Sequence, residues 1–255
     1  MGYRNKMKVS FGEIQDISTI DYPSEVVSVL FFCGCPFRCP FCHNFNLIDQ
    51  TKCDSVDADK IIDHVKKAIP FITGIAITGG EPTQQFDQLT YIVKKLKELN
   101  LLIKIDTNGY FSNNIKQLCD LNLVDYFAVD IKNEFKPKIY AKTVGLSVLN
   151  GNKIIKRVKE SLQTIINSNS FLEARTTIVP GLNDSKDTIE NICKEIIGVN
   201  RYVLQQFRCI DKVLDDSFSK LPSPSRDQLL NLAKIAKEYI EDVRIRTAEN
   251  GEERL

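Results

Sequence analysis

Cys35, Cys39 and Cys42 stand in the spacing Cys-x3-Cys-x2-Cys within Cys33-Gly-Cys-Pro-Phe-Arg-Cys-Pro-Phe-Cys42. Iron–sulfur clusters are held by cysteine thiolates, and three in one loop suit three irons of a cubane cluster. The fourth iron then lacks a protein ligand, and an open coordination position is a catalytic feature. Structural zinc takes four protein ligands. Cys33 or His43 could supply a fourth here, but the second separated pair of a zinc loop is missing. Cys33, Cys53, Cys119, Cys193 and Cys209 show no paired spacing. They read as small apolar residues, with no second local set for an auxiliary cluster. Three more motifs carry polar groups directly after short apolar runs: Gly79-Gly-Glu-Pro82, Asp106-Thr-Asn-Gly109 and Asp130-Ile-Lys132.

The elements that must position these motifs alternate in type. Apolar runs predict strands over 26–32, 74–78, 101–105, 126–131, 172–179, 202–207 and 243–247. Apolar residues at helical spacing predict helices over 58–69, 86–99, 115–121, 154–166, 188–197 and 228–239. Asp184 is a candidate N-cap for the fifth helix, and Pro222-Ser-Pro-Ser225 leads into the sixth. Strands alternating with helices imply parallel pairing. About six βα units fall short of a closed eight-fold barrel. A doubly wound open sheet is the other solution, and periodicity does not separate the two. Either way, four motifs end four successive strands and converge on one face. Residues 133–153 read as a loop that could cover or frame the site.

The composition is that of an ordinary globular chain. Of 255 residues, 43% are hydrophobic and 26% charged, and the formal net charge is +1. Such a balance argues against a dedicated nucleic-acid binder. No apolar run reaches the length of a membrane helix. Residues 1–10 are polar and carry no apolar signal core. A soluble cytoplasmic protein is expected, and a reducing compartment favours metal over disulfides as the use of clustered cysteines.

The three-cysteine motif with an aromatic before its last Cys, followed by Gly-Gly-Glu-Pro, resembles the radical S-adenosylmethionine superfamily. Cys42-His43-Asn44, Asp106-Thr-Asn-Gly109 and Asp130-Ile-Lys132 look like the glycyl-radical-enzyme activases. Ser18-Thr-Ile-Asp-Tyr-Pro23, Phe31-Phe-Cys-Gly-Cys35 and Val203-Leu-Gln-Gln-Phe207 are most similar to anaerobic ribonucleoside-triphosphate reductase activating proteins. The resemblance spans residues 10–252. It implies an α/β fold, a partial (β/α)6 barrel in one domain over 1–255, with a core at about 25–247 and an N-terminal extension at 1–24. It also implies a [4Fe–4S] cluster on Cys35, Cys39 and Cys42 and bound S-adenosylmethionine. One electron from the cluster would cleave the S–C5′ bond and give a 5′-deoxyadenosyl radical. The implied partners are a glycyl radical enzyme as protein substrate and a flavodoxin- or ferredoxin-type electron donor.

The cofactor needs particular groups, and the sequence offers them. Gly79 and Gly80 lack Cβ and permit close backbone approach. Glu81 could add an acceptor for the methionine amine. Lys132 is the natural partner of the methionine carboxylate. Asp106 and Asp130 look wrong beside an anion, and related activases answer this with a monovalent cation. By resemblance its side-chain ligands here are Asp106, Thr107 and Asp130, against the plainer reading that the aspartates cap loops. Asn108 belongs to the same cofactor-facing motif. Phe41, next to Cys42, offers an aromatic face to adenine. His43 is better placed for a hydrogen bond near the cluster than for ligation. Arg175 faces either the ligand or Glu173 on its own strand. Gln205 or Gln206 could face the ribose. Asp21 resembles an activase Asp-x-Pro-Gly motif near the substrate protein, with Ser24 in place of Gly. His64 lies on a solvated helix face.

Three functions compete on this basis: generation of a glycyl radical on another chain, radical chemistry on a small molecule or nucleic-acid base, and a non-catalytic zinc module. A sealed pocket under 133–153 favours the second, and a wide lateral opening favours the first. Gly251 lacks the surroundings of a radical site, so the acceptor is expected on another chain.

Overall fold

The computed structural model describes residues 6–208 and 212–255; Cys209 lies outside them. Strand β1 (Lys8–Ser18) is followed by β2 (Val27–Phe32), β3 (Asp54–Asp57), α1 (Ala58–Ala68), β4 (Gly74–Gly79), α2 (Phe86–Lys97) and β5 (Leu102–Thr107). The order continues with α3 (Ser112–Asp120), β6 (Tyr126–Asp130), α4 (Pro137–Thr143), α5 (Gly151–Ile166), β7 (Phe171–Ile178) and α6 (Lys186–Glu195). Last come β8 (Arg201–Gln206), α7 (Arg226–Ala236), β9 (Val243–Thr247) and β10 (Gly251–Arg254).

All ten strands form one sheet in the order β10-β9-β8-β7-β6-β5-β4-β2-β1-β3. Pairing is parallel from β2 through β9 and antiparallel at the rims. Among the described residues the end strands β3 and β10 each have one neighbour, so the sheet there is open. Strand alternation divides it into two faces. Ile103 and Ile105 of β5, Phe127 and Val129 of β6, and Leu172 and Ala174 of β7 pack with apolar residues of all seven helices in one core. The opposite face carries a small apolar group, including Val27, Val29, Ala76, Tyr126 and Ala128. It also carries Lys104, Asp106, Asp130, Glu173 and Arg175, which share its strand parity. Helices on a single face exclude the doubly wound solution, which needs them on both. The sheet is the wall of an open, partial barrel whose inner face is polar.

Three strands and one helix depart from the sequence expectation. β1 is polar and its register shifts twice, between Phe11 and Ile14 and between Gln15 and Ser18. Such bulges break the alternation that marks a strand. β3 and β10 are short, charged edge strands, which protects open edges from further pairing. The segment 8–18, expected in an extension before the core, pairs with β2 beside the cysteine loop. Residues 133–153 contain α4 and the first turn of α5. The expected cap Asp184 instead accepts from the Gly181 N–H. Ser185 caps α6 through the Thr188 N–H, and Ser225 caps α7 in a capping box with Gln228.

A further correction concerns the cysteines. Cys33 and Cys53, expected to be ordinary apolar thiols, form a disulfide across a separation of 20 residues. The short helical turns over 45–53 fold back on the cysteine loop. There the Gly34 N–H donates to the Leu47 carbonyl at 2.7 Å and the Cys35 N–H to the Ile48 carbonyl at 3.1 Å. Spacing does not reveal this pair, because only the return of the chain brings it together.

Candidate active site

The polar face opens into a cavity of about 500 Å3 at the C-terminal ends of the parallel strands. Cys35, Cys39 and Cys42 border it together, from the loop that leaves β2. Arg38 fastens this loop by donating from Nη1 to the carbonyls of Cys35 and Phe37 at 2.7 and 2.8 Å. Residues beyond β8 brace it as well. The Leu214 N–H donates to the Cys42 carbonyl and the Asp215 N–H to that of Pro40. Burial pushes the Cys35 and Cys39 thiols up to about 12, and raises Cys42 too. Free thiolates are therefore disfavoured, and a cationic metal core is what would keep them ionised. Among the described residues, no three His, Cys, Asp or Glu side chains close around a single ion. A cubane gives each of three thiolates its own iron, whereas structural zinc takes four protein ligands on one ion.

The end of β4 forms the next wall. Gly79 has φ +110° and borders the cavity with Gly80. A Cβ on Gly79 would press into the Phe32 carbonyl oxygen, and one on Gly80 into that of Gly34. The Gly80 N–H donates to Phe32 O and the Glu81 N–H to Gly34 O, at 2.7 and 2.6 Å. The glycines thus serve the fit between this turn and the cysteine loop as well as leaving room for a ligand. Glu81 departs from its expected role. It is fully buried, does not border the cavity, and accepts from Thr83, from the Thr107 hydroxyl at 2.7 Å and from the Asn108 N–H at 2.7 Å. Every oxygen is committed inside the protein, so Glu81 positions the 107–109 turn rather than receiving the methionine amine. Burial still pushes its carboxyl above the usual range, against these hydrogen bonds.

Asp106, Thr107, Asn108, Asp130, Lys132 and Arg175 all reach the cavity. The two aspartates expected to hold a cation are paired with cationic side chains. Lys132 is not the lone positive group. Lys104 bonds Asp106, Arg175 bridges Asp106 at 3.2 Å and Asp130 at 3.0 Å, and Lys132 bonds Asp130 at 2.9 Å. Three cationic side chains face two carboxylates, and the Thr107 hydroxyl donates to Glu81 and accepts from the Gly109 N–H. Burial would raise both carboxyls, but Arg175, with Lys104 on Asp106 and Lys132 on Asp130, holds them below the usual range. Arg175 turns to these aspartates, while Glu173 accepts from the Tyr126 hydroxyl at 2.5 Å and lies 3.7 Å from Arg201. Lys104 was legible only through parity with Asp106, because it sits inside an apolar run.

Other expected residues divide. Phe41 is buried, borders the cavity and packs against Phe218 at 6.5 Å between ring centroids. Gln205 faces the cavity, whereas Gln206 ties β8 to the Pro224 carbonyl and the Ala248 N–H. Asp21 borders the cavity and accepts from the Ser18 hydroxyl at 2.5 Å. His43 is at the cavity edge, its ring 5.8 Å from that of Phe207. His64 bonds Asp16 on β1, away from the site. Thr78, Thr177 and Arg246 also border the cavity and were missed. Arg246 had a signal in the alternation of Val-Arg-Ile-Arg-Thr. None of 133–153 borders the cavity. That segment braces the outside of the cysteine loop instead, where the Arg38 N–H donates to the Val144 carbonyl at 2.8 Å.

Residues 29–196, which include the cysteine loop and the walls described above, match the model of the Radical SAM superfamily. The chain belongs to this superfamily. A relative from Methanocaldococcus jannaschii, provisionally named a glycyl-radical enzyme activating enzyme, is 38% identical over 94% of this chain and 97% of its own. A pyruvate formate-lyase-activating enzyme from Clostridium pasteurianum is 27% identical over 89% of this chain and 97% of its own. Among solved structures, a radical SAM methyltransferase from Sphaerobacter thermophilus superposes with TM-score 0.67 at 18% identity, covering 89% of this chain and 68% of that one. That likeness is one of fold. Radical SAM membership implies a [4Fe–4S] cluster and S-adenosylmethionine, and the three thiols bordering one cavity fit the cluster. Among the described residues, no helix is long and apolar enough to cross a membrane.

Proposed function

We propose that this enzyme installs a glycyl radical on a separate partner enzyme, and that the partner is an anaerobic ribonucleoside-triphosphate reductase. Cys35, Cys39 and Cys42 would hold the cluster, which, when bound, supplies the electron that cleaves S-adenosylmethionine to the 5′-deoxyadenosyl radical. Lys132 and Arg175 attract the methionine carboxylate, which would bring three carboxylates opposite Lys104, Lys132 and Arg175. Gly79 and Gly80 leave room for the methionine end, and Phe41 and Gln205 flank the space for the nucleoside. A flavodoxin- or ferredoxin-type protein is the proposed electron donor.

The observation that carries a protein substrate is the mouth of the cavity, which no residue of 133–153 lines. It reaches the surface beside Ile20, an apolar residue 81% exposed next to Asp21. A small-molecule enzyme would gain from closure against water. The Methanocaldococcus relative supports the activase reading. A pyruvate formate-lyase-like partner is the second reading, favoured by the similarity to the Clostridium enzyme.

The test is anaerobic mixing of reconstituted enzyme, reductant and S-adenosylmethionine with each candidate glycyl radical enzyme, followed by electron paramagnetic resonance. A glycyl radical should appear on the reductase, and not when Cys39→Ala enzyme is used. A radical on the lyase alone would favour the second reading. Cofactor cleavage with no radical on either protein would reject both.

A further inference from the structure

We propose that Asn108 raises the reduction potential of the cluster, by donating a hydrogen bond from its side-chain amide to the Cys35 thiolate. The inference rests on Cys35 being a cluster ligand and goes beyond it. Asn108 Nδ2 lies 3.6 Å from Cys35 Sγ, an ordinary length for an N–H donor to a large sulfur atom. The amide orientation is fixed by its other end, since Oδ1 accepts from the Tyr110 N–H at 3.0 Å. The backbone is fixed too, because the Asn108 N–H donates to Glu81 Oε2 at 2.7 Å. Asn108 is only 6% exposed. The chain Glu81–Asn108–Cys35 therefore links the end of β4, the turn after β5 and the cysteine loop. Cys35 Sγ also accepts from the Phe37 N–H at 3.5 Å, but that donor belongs to the cysteine loop itself. Asn108 is the one that another strand end supplies.

Reduction adds one electron, whose charge spreads onto the thiolate sulfurs. A donor aimed at one sulfur stabilises the more negative state and makes reduction easier, and burial strengthens the effect. Asn108 would thus be a positioning and tuning residue, with one Nδ2 hydrogen on Cys35 and Oδ1 on Tyr110.

The experiment is a redox titration of the reconstituted cluster, followed by electron paramagnetic resonance, without S-adenosylmethionine. Asn108→Ala and Asn108→Leu both remove the donor and add no charge beside the cluster, as an aspartate would. Iron and sulfide are quantified first, so that loss of the cluster is not mistaken for a shift. At the wild-type midpoint, the reduced-to-oxidised ratio should fall about tenfold in both variants, about 59 mV for one electron. A ratio within threefold of wild type in both, or a shift to easier reduction, overturns the proposal. Failure of the wild type itself to take up iron would instead reject the cluster reading on which it rests.

Discussion

A side chain at position 80 would press into the carbonyl oxygen of Gly34, inside the cysteine loop. The sequence suggests that Gly80→Val would lose only the cofactor, with the cluster still assembled. The structure changes that expectation, because the loop holding Cys35 must move to admit the valine. Gly80→Val should retain at least fivefold less iron than wild type after reconstitution, measured by iron and sulfide analysis. Full iron content with lost cofactor binding would restore the narrower role. At the same scale, Ser24 has φ +68°, the left-handed region that non-glycine residues adopt at a cost. It stands where the Asp-x-Pro-Gly motif has glycine, and its conformation supplies the physical reason for that preference. Ser24→Gly should raise unfolding stability by roughly 0.5–1 kcal/mol, read as a higher urea midpoint at unchanged slope.

β5, β6 and β7 set three neighbouring strand ends in register, with Asp130 opposite Arg175. Their inner faces carry the ladder Lys104–Asp106–Arg175–Asp130–Lys132. Because both carboxyls are depressed in the folded state, their contribution to stability is complete above the unfolded value of about 4. It is lost as pH falls through the lower folded values. Asp106→Asn, studied as metal-free protein with thiol reductant, should lose roughly 3 kcal/mol at pH 7. The penalty should shrink below about pH 4, where the unfolded wild-type carboxyl is already protonated. Denaturation midpoints across that range check this, and an equal penalty at pH 7 and pH 3 would deny Asp106 a charged role in the fold.

Across the whole molecule, the Cys33–Cys53 disulfide closes the chain around Cys35, Cys39 and Cys42. Joining residues 20 apart restricts the unfolded chain and is worth about 3 kcal/mol in the loop-entropy account. Cys53→Ser should therefore lower the stability of metal-free protein by about 3 kcal/mol without reductant, and by little once reductant is added. Alkylation before reduction should label Cys35, Cys39 and Cys42 and spare Cys33 and Cys53. Labelling of all five would mean that the bridge does not form in solution.

The cysteine motif and the order of β and α elements were legible in the sequence because both depend on short-range spacing. Ligand spacing lies within eight residues, and buried parallel strands write continuous apolar runs. Strand parity placed Asp130 and Lys132 on one side, whereas for Arg175 it left the ligand and Glu173 as alternatives. Edge strands β1, β3 and β10 left no such record, since bulges, charge and brevity erase the alternation. What the tertiary structure decided were the partners across strands and loops. It set Glu81 into the Thr107–Asn108 turn, Lys104 and Arg175 against the aspartates, and Cys33 against Cys53. Each of these joins groups that lie far apart or in an unremarkable order along the chain. Only the parallel register and the return of 45–53 onto the cysteine loop fix which charges and thiols meet.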